Sequence, residues 1–363
     1  MNKYTKLRSI KGNEAIELKK GPSRLLLCPD MGGRAFAEVA GIVPHRIDLQ
    51  AAARPGDDFN NYGGNNLWPA PEGGVYGFNY KGNGWYVQPA VNTQPFEVAA
   101  SKENNILESM PGRPEIDGRQ PATDDSVRRV RLQKRSTLVN RAGTTMETLI
   151  SREVSLSDCP AMLKSYEIEG CLSYTTIDSF EITNEVRTYA GLLAAWTLEQ
   201  FDATGDTISF CIADNPYQAI NFDYYEHPEE RIIYYEKGFT YRTDGRSRGQ
   251  IGIKAVAQAK QIGFYDFHRR LLCLRRNRSD GKGLYFNIAD NNQPAGQFSA
   301  ADNYSIFNSD SDIAAFELET IGAAKVDGNL LQGSELISDT VLAVFKRAED
   351  IERFIQEKLG SAL

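Results

Sequence analysis

The chain has 363 residues, 41% of them hydrophobic and 25% charged, with a formal net charge of −7 and a pI near 5.3. That acidic balance excludes a general nucleic-acid binder, which wants a basic face, while leaving ample apolar material for a core. No stretch is long and apolar enough to cross a membrane. The opening MNKYTKLRSIKGNEAIELKK lacks the apolar run of a signal peptide, so a cytoplasmic location is expected.

Length permits two domains or one large β domain. No composition break marks a linker and no internal repeat stands out, so a single domain over residues 1–363 is expected. The five cysteines, Cys28, Cys159, Cys171, Cys211 and Cys273, are odd in number, scattered and without a C-x-x-C pair. They signal neither a disulfide framework nor a zinc site, and reduced core positions are expected.

From Ala15 to Ala40, short apolar runs between Gly, Pro and Asp read as strands. Arg34, just after Gly32 and Gly33, reaches a cleft or stands on a surface strand. Pro44 to Pro95 is rich in Gly and Asn and weakly periodic, and reads as a long structureless connection, which is either functional or an error of assignment. It holds Trp68 and Trp85 with Tyr62, Tyr76, Phe78, Tyr80 and Tyr86. Such aromatics stack on the apolar C–H faces of a sugar ring, or plug the end of a sandwich. Glu72, between Pro71 and two glycines, is the polar candidate of this stretch, or holds the loop through backbone amides.

PFEVAA and NNILESM read as strands around a turn at Glu103–Asn105, and Arg113 to Asp125 as an exposed loop. Arg128, Arg129, Arg131, Lys134 and Arg135 alternate with Val130 and Leu132, which suits a half-exposed strand better than a nucleic-acid strip. Strand patterns then recur between turns at Asn140–Gly143, Ser157–Pro160 and Gly170–Ser173, the spacing of an antiparallel sandwich. In Leu192–Gln200, alternation puts Trp196 with Leu198 and Gln200 on the greasier face, as core or as ligand platform. Arg187, just upstream, could pair with a cleft carboxylate or with substrate oxygens.

Further strands follow, with a turn at Asp244–Gly245. In the closing stretch Ile313–Lys346, period-2 alternation projects Glu317 and Glu319 from one face, suited to binding sugar hydroxyls, to acid–base work, or simply to facing water. Ile351, Phe354, Ile355 and Leu359 fall at helical spacing before Gly360, giving the one clear helix. Some twenty strand candidates with one carboxyl-terminal helix predict an all-β fold, a large two-sheet antiparallel β-sandwich.

The three histidines, His45, His227 and His268, have no zincin spacing, and no G-x-S-x-G elbow, phosphate loop or dinucleotide fingerprint occurs. No cofactor is expected. The acidic loop Asp290–Asn292 is a weak metal signal.

FELETIG…LLQGSELISDTVLAVFK resembles the closing segment of galactose mutarotase-like proteins. The run GGNNLWPAPEGG resembles the GG-x-x-x-W-x-x-P-E-G-G signature of a bacterial branch of that superfamily, and AAWTLEQ extends the likeness over most of the chain. The resemblance implies a β-supersandwich whose concave face binds carbohydrate. In aldose epimerases of the superfamily, a glutamate removes the anomeric hydroxyl proton while a histidine protonates the ring oxygen. Glu319 matches the position of that glutamate, although Gln332 stands where proline is common. The stretch Asn184–Trp196, where the histidine belongs, has none, and His268 is the nearest substitute. The GG…WP run also resembles hexose-6-phosphate epimerases, but Tyr62 stands where arginine usually precedes the glycines, which argues against a phosphosugar. Two expectations result: a carbohydrate-binding protein without classical mutarotase activity, or an aldose 1-epimerase-like enzyme with Glu319 as general base. Trp68, Glu72, Trp85, Arg187, Trp196, Glu317 and Arg34 are the candidate saccharide contacts.

Overall fold

Apolar runs punctuated by Gly, Asn and Pro become strands here because half or fully buried pleated positions favour branched and aromatic side chains. A computed structural model describes residues 1–57, 59–82, 84–102, 128–222, 229–279, 283–286 and 301–362. In chain order its strands are β1 (Ile16–Lys20), β2 (Ser23–Cys28), β3 (Arg34–Glu38), β4 (Gly64–Ala70), β5 (Tyr80–Lys81), β6 (Gly84–Trp85) and β7 (Glu97–Lys102). Then come β8 (Arg129–Val139), β9 (Thr145–Ser157), β10 (Ile168–Ile182), β11 (Ala194–Asp202), β12 (Ile208–Ile212), β13 (Ile220–Asn221), β14 (Ile232–Tyr235) and β15 (Gly238–Arg242). The last are β16 (Gly249–Lys254), β17 (Gln261–Asp266), β18 (Leu271–Asn277), β19 (Asp302–Asn308), β20 (Ala315–Ile321), β21 (Ala323–Asp327) and β22 (Leu330–Phe345).

Two antiparallel sheets hold nearly all of them. The smaller runs β1-β2-β3-β4-β11-β20-β19-β16-β13, the larger β14-β15-β12-β17-β18-β22-β10-β9-β8-β7 with β21 added beside β22. The main core lies between them, drawing Leu25, Leu27, Leu67, Phe201 and Leu318 from one sheet and Val130, Ile150, Tyr174, Phe264 and Leu342 from the other. The two-sheet sandwich expected from the sequence is therefore the observed fold.

Helices cover the outer faces. The carboxyl-terminal helix Ala348–Leu359 buries Ile351, Phe354, Ile355 and Leu359 against Phe210, Leu272, Val341 and Phe345. A second helix, Lys3–Lys11, was not expected. Asn2 caps it by accepting from the Thr5 amide at 3.0 Å, and Tyr4 and Leu7 pack on Leu26, Cys28 and Phe36. Two apolar anchors in nine residues are too few for a period to show. β2 thus serves both layers, Leu25 and Leu27 facing inward and Leu26 and Cys28 outward. Among the described residues no helix is long and apolar enough to cross a membrane.

Two further readings need correction. Gly64–Ala70, inside the presumed structureless connection, is a strand hydrogen-bonded to β11 along its length. Its Gly, Asn and Pro content hid it, since these residues are depleted in strands. Cys159 and Cys171 form a disulfide, closed as the chain turns between β9 and β10, while Cys28, Cys211 and Cys273 are buried free thiols as expected. Disulfides persist mainly in oxidising compartments, which pulls against the cytoplasmic expectation. The strand read at NNILESM, the loop after it and the Asp290–Asn292 loop lie outside the described residues.

The sandwich interior is not wholly apolar. Glu199 on β11 is fully buried and accepts from Asn65 Nδ2 at 3.0 Å and Thr340 Oγ1 at 2.9 Å, with Tyr174 and Arg275 also bonded to its carboxylate. His45 Nδ1 accepts from the Ala37 amide at 2.8 Å, so its Nε2–H donates to Glu199 at 2.9 Å. Burial and the Arg275 charge push His45 down to about 3, and it is neutral. Arg152 stands 3.4 Å from Asp178, both fully buried. Removing one partner of a buried pair strands the other charge. Glu199→Ala should therefore cost about 3–5 kcal/mol in urea unfolding, and Arg275→Met added to it should restore part of the loss.

Candidate functional site

β11 and β20 are buried on both faces. Thr197, Glu199, Leu318 and Thr320 look between the sheets, while Trp196, Leu198, Gln200, Glu317 and Glu319 look the other way, into a cavity of about 210 Å³. Strand pairing sets its floor as rungs. One rung joins Trp68 to Trp196, and the next joins Asn66, Leu198, Glu319 and Ser305. The third joins Gly64, Gln200, Glu317, Phe307 and Gln250. Arg34 on β3 closes one end, and Phe59, Glu72, Trp85, Asp310 and Arg248, on loops or at strand ends, form the rim.

Aromatic rings line one wall edge to face, with Phe59 between Trp68 (5.9 Å) and Trp85 (5.2 Å) and Trp68 against Trp196 (5.9 Å). Trp85 is 42% exposed and donates from Nε1 to Glu72 at 3.0 Å. The opposite side is polar. Glu317 accepts from Gln200 Nε2 at 2.6 Å. Glu319, 1% exposed, accepts from Trp196 Nε1 at 3.0 Å, with Gln250 Nε2 at 3.5 Å from both its oxygens.

The two carboxyl groups share one face of β20 and interact, and both hold protons more tightly than usual. For Glu317 the cause is burial, opposed by its bond to Gln200, by Glu319 and by Arg46 and Arg34. For Glu319 burial comes first and the Glu317 charge second, and together they raise it well above the carboxylate range. Of the two, Glu319 is the side that holds a proton more tightly. Such a pair can donate and accept within one site.

Of the residues singled out from the sequence, Arg34, Trp68, Glu72, Trp85, Trp196, Glu317 and Glu319 surround this one cavity. Arg187 and His268 do not. Arg187 is held at the surface by Glu185 at 2.6 Å and by Asn329 at 2.7 Å. His268 is exposed on the turn between β17 and β18. Asn66, Gln200, Gln250, Arg248, Phe59 and Phe307 were not singled out. Gln200 shares the Trp196 face by simple alternation and Asn66 stands two before Trp68, so both were within reach. Gln250 and Phe307 arrive only through sheet neighbours. Among the described residues no group of His, Cys, Asp or Glu could hold a metal.

The fold and cavity together define an all-β sandwich protein with an aromatic and carboxyl-lined pocket on the outer face of one sheet. The chain belongs to the family of unknown function DUF6786, whose model matches residues 120–333. No curated protein matches it. Among solved structures, the Slr1438 protein of Synechocystis sp. PCC 6803 is 14% identical, with 91% of this chain and 96% of that one covered and a TM-score of 0.53. A galactose mutarotase-like protein from Lactobacillus casei ATCC 334 is 10% identical over 91% and 99% of the two chains, with a TM-score of 0.46. Another from Clostridium acetobutylicum is 12% identical over 91% and 94%, with a TM-score of 0.44. The first of these shows a shared fold.

A carboxyl whose proton affinity folding raises favours the fold while protonated, and that contribution is lost as pH rises through its folded value. Glu319→Gln keeps an oxygen for Trp196 and removes the second charge. The variant should gain stability over wild type by about 1 kcal/mol near pH 8, and by less near pH 5. Thermal unfolding at the two pH values measures this.

Proposed function

We propose that the cavity binds a saccharide. The observation that carries the reading is the pairing of an aromatic wall with buried polar atoms that lack partners: Arg34 Nε, Asn66 Oδ1 and Trp68 Nε1. A buried polar group without a hydrogen bond costs stability, and a ligand rich in hydroxyls supplies both donors and acceptors. Its C–H faces stack on Trp85, Trp68 and Phe59 while Glu317, Gln200 and Gln250 take hydroxyls. The sequence resemblance to galactose mutarotase-like proteins supports the same ligand class.

The carboxyl pair favours a second reading, an aldose epimerase-like enzyme. On this reading the sequence resemblance implies Glu319 as the general base. Alternatively, the proton it retains serves to protonate the ring oxygen while Glu317 takes the anomeric hydroxyl proton. The pair then fills both roles without the absent histidine. Binding and turnover separate experimentally. Trp85→Ala should weaken the monosaccharide that most raises the melting temperature by about tenfold, leaving the unliganded melting temperature unchanged. Unchanged affinity would remove the ring from the site. If the enzyme reading holds, wild type accelerates interconversion of freshly dissolved α-anomers, followed by NMR, and Glu319→Gln and Glu317→Gln do not. Binding without acceleration leaves a carbohydrate-binding protein.

A further inference from the structure

Resting on the saccharide reading, we infer that the natural ligand is an acidic saccharide, its carboxylate held by Arg34. Arg34 is the first residue of β3 and is 2% exposed. Its only protein hydrogen bond among the described residues runs from Nη1 to the Met31 carbonyl at 2.8 Å, with the Tyr62 ring face 5.0 Å from the guanidinium. No carboxylate of the described residues lies within ion-pair distance, and Nε is wholly enclosed without a partner.

An enclosed guanidinium without a counter-ion is costly, and the cost is recovered when an anion arrives. The chain is built to hold this group where it is. Gly32 and Gly33 both adopt left-handed backbone, φ +66° and +70°, turning Arg34 back over Met31. A Cβ on Gly32 would stand 2.7 Å from the Val91 carbonyl and 3.2 Å from Arg34 Nη1, so the turn admits no side chain.

The surroundings choose the sign and shape of the ligand. Arg152 adds positive potential at Arg34, while enclosed Lys134, bonded to the Gln94 carbonyl at 2.8 Å, is pushed down to about 7 by burial and by Arg34. Glu317 attracts Arg34 from across the cavity, yet it stands beyond ion-pair distance and its bond is with Gln200. Glu72, Asp310 and Arg248 lie at the cavity rim, so the place for an anion is the enclosed Arg34 end alone. A planar carboxylate matches one guanidinium fork, and the orphan Trp68 indole N–H adds a second kind of donor. A phosphate dianion asks for more positive charge than this end supplies so close to Glu317. A sugar whose terminal carbon is oxidised meets both the fork and the aromatic wall.

The test is isothermal titration of the full chain with matched hexoses and hexuronates of gluco, galacto and manno configuration, plus glucose 6-phosphate. Wild type, Arg34→Met and Arg34→Lys are compared. Wild type should bind at least one uronate about tenfold more tightly than its neutral partner, and Arg34→Met should bring the two within about threefold. Arg34→Lys should keep part of the preference. The unliganded melting temperature of Arg34→Met should be unchanged or higher, because an unpaired enclosed charge is removed. A marked fall would instead make Arg34 structural and overturn the assignment. Neutral hexoses binding as tightly as uronates would overturn the carboxylate while leaving the saccharide reading intact. Glucose 6-phosphate binding more tightly than every uronate would also overturn it. If no member of either series binds, both readings fall together.

Discussion

The arrangement depends on one buried ion pair, Glu199 with Arg275, because it joins the two sheets directly beneath the pocket floor. Glu199 sits between Leu198 and Gln200, both of which line the cavity. Whatever fixes the Glu199 side of β11 therefore also fixes the other side. Thr197 and Thr320, 2.6 Å apart, continue the tie to β20, and Arg275 reaches Thr320 at 3.0 Å. Geometrically fixed charges of this kind contribute specificity of arrangement more readily than net stability. In this protein they hold the strand that carries Trp196 and Gln200.

The pocket itself runs against stability. Two carboxyl groups are forced together, a guanidinium is enclosed without a counter-ion, and an amide oxygen and an indole N–H are left without partners. A sequence shaped only for folding would fill such a space with apolar side chains. Buried polar atoms without partners occur elsewhere too, Arg152 and Asp178 among them, but those of the pocket face open space beside an aromatic wall, the usual mark of a binding or reacting site. Glu199, under β11, differs in having five partners.

How much of this could be read in the sequence follows from which residues obey simple periods. Glu317 and Glu319, and Trp196 with Gln200, declare a shared face because a strand alternates. The sandwich was legible for the same reason. β4 was not, since GNNLWPA carries Gly, two Asn and Pro, and only pairing with β11 makes it a strand. Arg152 and Arg275 look like surface residues by type, and their partners lie far away in sequence. Gln250 and Phe307 come to the cavity through β16 and β19, a consequence of sheet order that no local pattern announces. His268 failed as a candidate because a turn, rather than a strand face, carries it.

Because a strand's period is two, slipping β11 by one residue against β4 and β20 would exchange its faces. Glu199 would enter the cavity, and Trp196 would be driven among the buried guanidinium groups. Both outcomes are severe, so a one-residue slip of β11 is disfavoured. Phe59, Glu72 and Trp85, on connections outside the main sheets, are under no such lock. The protein thus separates a floor that cannot drift from a rim that can. Relatives that take different ligands are free to diverge by rewriting loops while the floor keeps its chemistry.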